Sequence, residues 1–182
     1  MDIKLFVNLT SKAWSLAILS NLHAGVPGRQ AALLTATGAG RTAFSQSMQH
    51  LVSLNLLERN PGHGHPLRPE FRLTPVGIKA AALAYRIQET AVGDDPILLR
   101  RSWTLPVLSS LRRPRHFCDI KKDLLTITDR ALSQALKSME ERDWVQRSVN
   151  SAARPPRSIY SAVNTGQRIT EIVRPEIRFA SL

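Results

Sequence analysis

Cysteine occurs once in this chain, at Cys118. An intramolecular disulfide is therefore impossible, and a cysteine-based zinc site within one chain is not expected. Acidic residues are also few. The chain has 14 Asp+Glu against 25 Lys+Arg, a formal net charge of +11. The acids are scattered, so no ordered acid/base constellation emerges. No Gly-rich phosphate loop and no serine nucleophile elbow occurs either. The chain is accordingly not read as an enzyme, and no cofactor or metal is expected. No apolar run approaches the ~18 residues that a membrane span needs. The N-terminal MDIKLFVNLTSKAW lacks the basic start, apolar core and cleavage site of a signal peptide. A reducing cytoplasm is the expected location.

What the chain does have is positive charge, unevenly placed. Residues 1–95 hold 9 Lys+Arg and 6 Asp+Glu, a net +3, whereas residues 96–182 hold 16 and 8, a net +8. Such an excess suits a polyanion, either nucleic acid or an anionic membrane surface. The length of 182 residues fits one large or two small domains.

It also has internal repetition. WSLAILSNL at Trp14 returns as WTLPVLSSL at Trp103, 89 positions later. AFSQSMQHLVSLNLLER aligns with ALSQALKSMEERDWVQR, placing Ser45-Gln46 on Ser133-Gln134 at an offset of 88. Pro66, Arg68, Phe71 and Gly77 match Pro155, Arg157, Tyr160 and Gly166 at 89. Two units are expected, 1–93 with a connector helix and 94–182, the latter more basic.

Each unit reads alike. Apolar first helices are expected near 10–23 and 97–111, with Thr10 or Ser11 capping one and Asp94 or Asp95 the other. Pro96 suits a first helical position, where its missing N–H costs nothing. Trp14 and Trp103 fall on the apolar stripes and read as core anchors. Second helices are expected at about 28–36 and 115–124, and third helices at about 40–54 and 129–142. Strands near 56–60 and 70–74, and near 144–149 and 158–163, flank loops rich in Pro, Gly, His and Arg and read as wings. Closing helices are expected at 75–90 and 165–176.

The third helix of the second unit has two faces. Leu132, Leu136 and Met139 make one apolar stripe. Asp129, Arg130, Ser133, Gln134 and Lys137 lie opposite. Thr128 is a fitting cap, and Asp129 suits the positive end of the helix dipole. Asp143 breaks the pattern before Trp144-Val145 begins an extended run. A polar-faced helix followed directly by a strand is how a winged helix-turn-helix presents its recognition helix.

The second unit resembles the HxlR-type family of bacterial winged helix-turn-helix regulators. WTLPVL at Trp103–Leu108, RHFCDI at Arg115–Ile120, ITDRALSQAL at Ile127–Leu136 and PPRSIY at Pro155–Tyr160 carry the likeness. The first unit keeps Trp14, Ser45-Gln46 and FRLTPVG at Phe71–Gly77, but lacks the Arg-Phe pair of the second helix. It also has GAGR where the second unit has its Thr-Asp-Arg cap. The resemblance implies a mainly α fold with small β-hairpin wings, here as two tandem winged helix-turn-helix domains forming a pseudo-dimer. It also implies a sequence-specific, double-stranded DNA-binding transcriptional regulator of the bacterial nucleoid. Family members usually carry one such domain per chain and work as homodimers. Some sense oxidants through cysteines near the N-terminus, where this chain has none, so Cys118 is read as a non-sensing helix residue.

The candidate base readers are Asp129, Arg130, Ser133, Gln134 and Lys137, and their counterparts Arg41, Thr42, Ser45, Gln46 and Gln49. Arg130 is suited to guanine and Gln134 to adenine, each bidentate pair giving about 1–3 kcal/mol of discrimination. The candidate wing residues are His63, His65, Arg68, Arg154 and Arg157, suited to phosphates or a narrow minor groove. Arg113, Arg115, Lys121 and Lys122, with Arg112, are candidates for backbone contacts. His63 and His65 have no carboxylate cluster in their vicinity, so no metal is assigned to them. The alternative function is a protein-interaction module with little or no DNA binding, contacting another regulatory protein. The apolar ends, LFV and EIVRPEIRF, are candidate surfaces for a homodimer.

Overall fold

The computed structural model describes residues 1–60, 69–91, 93, 96–150 and 156–179. Asp2 opens the first helix, α1 (Ile3–Thr10), its carboxylate accepting from the amides of Lys4 at 2.6 Å and Leu5 at 3.2 Å. After it come α2 (Ser15–His23), α3 (Gln30–Thr37) and α4 (Arg41–Ser53). A short antiparallel hairpin, β1 (Leu57–Arg59) and β2 (Phe71–Leu73), leads into the long α5 (Pro75–Thr90). The order then recurs. It runs α6 (Pro96–Arg100), α7 (Thr104–Ser110), β3 (Arg115–His116), α8 (Phe117–Leu124), α9 (Asp129–Glu140), the hairpin β4 (Val145–Asn150) and β5 (Arg157–Ala162), and α10 (Asn164–Val173).

The described residues are thus mainly helical with small antiparallel sheets. In the second half β3 adds to the hairpin to give the strand order β3-β5-β4, with Arg115 opposite Tyr160 and Val145 opposite Ala162. In the first half the corresponding approach is a single bridge between Arg29 and Glu70.

The expected first helices are each broken in two. Residues 11–14 turn between α1 and α2, with Ser11 bonding back to Asn8 and Ser15 to Lys12. Residues 101–103 turn between α6 and α7, with Arg101 bonding to Leu98 and Thr104 to Arg101. These three-residue spacings are turns, not continued α-helix. Thr10 consequently ends α1 instead of capping α2, and its hydroxyl donates to the Ser102 carbonyl at 2.9 Å. Trp14 and Trp103 stand at the N-caps of α2 and α7 and are half-buried, packed against the core and not sunk within it. Apolar spacing alone hid both corners, because the short helices on either side keep similar residues. Pro96 does occupy a first helical position; Asp94 and Asp95 lie outside the described residues.

The turn from the third helix to the hairpin is the same in both halves. Asn55 and Asp143 have φ of +55° and +54°, a region that Asn and Asp tolerate better than other side chains. The next amide bonds back across the turn, Leu56 to Leu51 at 3.0 Å and Trp144 to Met139 at 2.9 Å. The closing helices then cross the base of the hairpin very closely. A Cβ on Gly77 would lie 1.9 Å from the Leu56 carbonyl oxygen, and one on Gly166 would lie 2.1 Å from that of Trp144. Only glycine allows that approach.

A single hydrophobic cluster takes in buried residues of both halves. α7 is buried along its whole length, and α1 packs on it. α5 packs on α2 and also on α10. The guanidinium of Arg100 sits 4.1 Å above the Trp14 ring, and Arg86 pairs with Glu176 at 3.1 Å. The apolar ends meet each other within the chain. Asp2 bridges Arg178, while Phe6 and Ile177 are buried. That covers inside one chain much of the terminal apolar surface proposed for a homodimer. No helix among the described residues is long and apolar enough to cross a membrane.

Candidate nucleic-acid interface

The side chains of α9 divide as their spacing requires. Leu132, Leu136 and Met139 are buried, joined by Ala135 and Ser138. Asp129, Arg130, Ser133, Gln134 and Lys137 are all exposed. The Thr128 hydroxyl accepts from the Ala131 amide at 3.2 Å, satisfying one otherwise orphan donor of the first turn. α8 and α9 are joined across their short turn by an ion pair, Lys121 Nζ to Asp129 Oδ1 at 2.7 Å. The turn itself passes through Leu125 at φ +50°. In the first half the corresponding turn uses Gly38 at φ +64°.

α4 presents the matching face. Arg41, Thr42, Ser45, Gln46 and Gln49 are exposed over buried Phe44, Ser47, Met48 and Leu51. Its cap is Gly40, which offers no side-chain oxygen. The helix before it, α3, carries no charged residue, whereas α8 carries Lys121 and Lys122 alongside Asp119 and Asp123. Each polar face carries the same net charge, from Arg41 alone on α4 and from Arg130 and Lys137 against Asp129 on α9, so the faces differ in how many charged groups they present and not in their sum.

Around α9 the cations separate into distinct groups. Lys122 is exposed and in no ion pair among the described residues. Arg115 is held inward by Asp123 at 3.1 Å, with side-chain exposures of 19% and 23%. Arg113 is exposed but lines a separate cleft against α10. Arg157 is exposed at the start of β5, and Arg147 across the hairpin donates to Ser158 at 3.0 Å. His63, His65, Arg68 and Arg154 lie outside the described residues.

One flanking cation escaped the sequence reading. Arg101 donates to Ser138 at 2.6 Å, and with Arg130, Ser133, Gln134, Lys137 and Glu141 it lines an open depression of about 550 Å³ along α9. It comes from the corner between α6 and α7. Reading that corner as helix interior concealed a basic residue beside the exposed face. Cys118 is exposed with a free thiol near the start of α8.

A polar helix face, a buried stripe beneath it, and a hairpin following it that β3 extends to three strands are together the parts of a winged helix-turn-helix. Residues 98–180 match the family of HxlR-like helix-turn-helix proteins. The match begins within α6 and includes all of α7 to α10. It associates this half of the chain with DNA binding and transcription regulation, in a family of regulators rather than enzymes. No curated protein and no solved structure matches the chain.

Proposed function

We propose that the chain is a sequence-specific, double-stranded DNA-binding transcriptional regulator in which α9 enters the major groove. The observation that carries this is the exposed polar set Asp129, Arg130, Ser133, Gln134 and Lys137 on the capped helix of the family-matched half. Arg130 has paired donors for the guanine O6 and N7 acceptors, and Gln134 has a donor and an acceptor for adenine N7 and N6–H. Lys122, Arg101 and Arg157 supply phosphate contacts that orient the helix without reading sequence.

In this reading the first half is a second winged helix-turn-helix, and the chain is a pseudo-dimer. The recurring element order supports it, as do the matched turns at Asn55 and Asp143 and the matched glycines Gly77 and Gly166. The contact of α5 with α10, and the reach of α1 onto α7, act as a dimer interface would. Joining two readers in one chain raises the local concentration of the second once the first has bound. The uncharged α3 and glycine-capped α4 favour a weaker DNA role for the first half, or a contact with another regulatory protein there.

The test is a gel shift against genomic fragments over a salt series. Affinity should fall steeply as salt rises, because neutralised phosphates release counterions. Arg130→Ala should relax sequence preference. Arg101→Ala and Arg157→Ala should weaken binding to all sequences alike and each lower the salt slope by about one. Absence of a shift at low salt would overturn the DNA reading, and recovery of a regulator or polymerase subunit in a pull-down would then favour the interaction module.

A further inference from the structure

The second half carries a concentration of positive charge that the α9 face does not use. The turn after α7 and the outer side of α10 enclose a cleft of about 280 Å³. Arg112, Arg113 and Arg174 line it, with Ser161, Gln167 and a single carboxylate, Glu171. Glu171 accepts from Gln167 at 3.2 Å. Among the described residues none of the three arginines is in an ion pair. Arg112 is held in place. Its guanidinium donates to the carbonyls of Ser109 and Ile177 and lies 4.6 Å over the Phe179 ring. Partial burial, and then the charge of Arg174, push the Arg112 guanidinium below its ordinary range, against a smaller opposing pull from Asp123. Three arginines against the single carboxylate of Glu171 leave one small cleft with an excess of positive charge, and a bound anion would relieve the repulsion among them.

The cleft lies at the opposite end of β5 from the wing residue Arg157. Ser161 and Ala162 lie at the base of the β4–β5 hairpin, where Ala162 pairs with Val145. Arg157 opens β5 at the other end, so the cleft is about 17 Å from it at ~3.4 Å per strand residue. Arg112 also grips the segment that returns to the N-terminus, since Arg178 bridges Asp2. A ligand here would therefore act on the contact between the chain ends, and through α10 on its packing against α5.

We propose that this cleft is a binding site for a small anion bearing a phosphate or carboxylate group, held by Arg112, Arg113 and Arg174. The site is a regulatory one, separate from base reading. Its test needs no DNA. Thermal unfolding and isothermal titration of the full chain are followed with inorganic phosphate and, separately, with citrate, each against chloride at constant ionic strength. The wild type should show saturable binding of at least one probe, and the responding probe tells phosphate from carboxylate. Arg113→Ala/Arg174→Ala should weaken that binding at least tenfold while circular dichroism stays unchanged. Arg174→Gln serves in its place should the double variant unfold, and should weaken the same binding. A non-saturating rise in Tm that is equal in wild type and variant is general salting-out and overturns the proposal. So does a wild type that binds neither probe. If the variant instead loses DNA affinity with no anion response in the wild type, the arginines are DNA-phosphate contacts and the small-anion site is refuted.

Discussion

Gly166 stands in the first turn of α10, where alanine would ordinarily favour the helix by about 1 kcal/mol. The added methyl would meet the Trp144 carbonyl oxygen at 2.1 Å. A backbone carbonyl in a sheet base does not move aside as a side chain can, and overpacking of this kind costs about 1–3 kcal/mol. The clash wins. Gly166→Ala should lower stability by about that amount in denaturant unfolding, and an unchanged midpoint would mean that α10 is free to shift outward. The pairing of Gly77 and Gly166 was visible in the sequence as a repeat. Its reason was not, since the carbonyls concerned lie at Leu56 and Trp144, far along the chain. Arg101 and Arg115 make the same point in opposite directions. Arg101, from a corner that periodicity reads as helix interior, lies beside α9; Arg115, a candidate for backbone contacts, is paired with Asp123.

At the level of elements, α4 and α9 are alike in exposure and unlike in setting. α9 has a threonine cap and ahead of it a helix carrying two lysines and two aspartates; α4 has a glycine cap and an uncharged helix ahead of it. Both helices were legible because a 3.6-residue apolar period over more than three turns is hard to mistake. The corners at residues 11–14 and 101–103 were not, because breaks of four and three residues leave that period nearly in phase. If α4 and α9 both read DNA, Arg41→Ala/Gln46→Ala should shorten the protected region in a footprint. Two half-sites, about 10 base pairs or a multiple apart centre to centre, would become one. Protection that keeps its full length would assign α4 to another role.

At the level of the whole molecule, the two halves share one hydrophobic cluster and exchange elements, α1 resting on α7 and α5 on α10. Such a chain should unfold as one unit. Far-ultraviolet circular dichroism and tryptophan fluorescence should give coincident thermal transitions, because Trp14 reports on the first half and Trp103 and Trp144 on the second. The same closure predicts a monomer. The mass in solution should stay that of one 20.2 kDa chain across a wide concentration range. Two separated transitions would show that the shared cluster does not couple the halves. A stable dimer would show that apolar surface remains outside the contact of the chain ends.

By itself the sequence determined the helical character, the α9 face, the hairpins and the basic second half. All of these follow from residues close together in the chain, through period, capping and charge. Tertiary structure alone decided which arginines remain unpaired, where the chain ends are used, and why glycine stands at residues 77 and 166. Those outcomes depend on groups brought together from distant positions. No local pattern records the partner that Asp123 offers Arg115, or the cleft that Arg113 and Arg174 share.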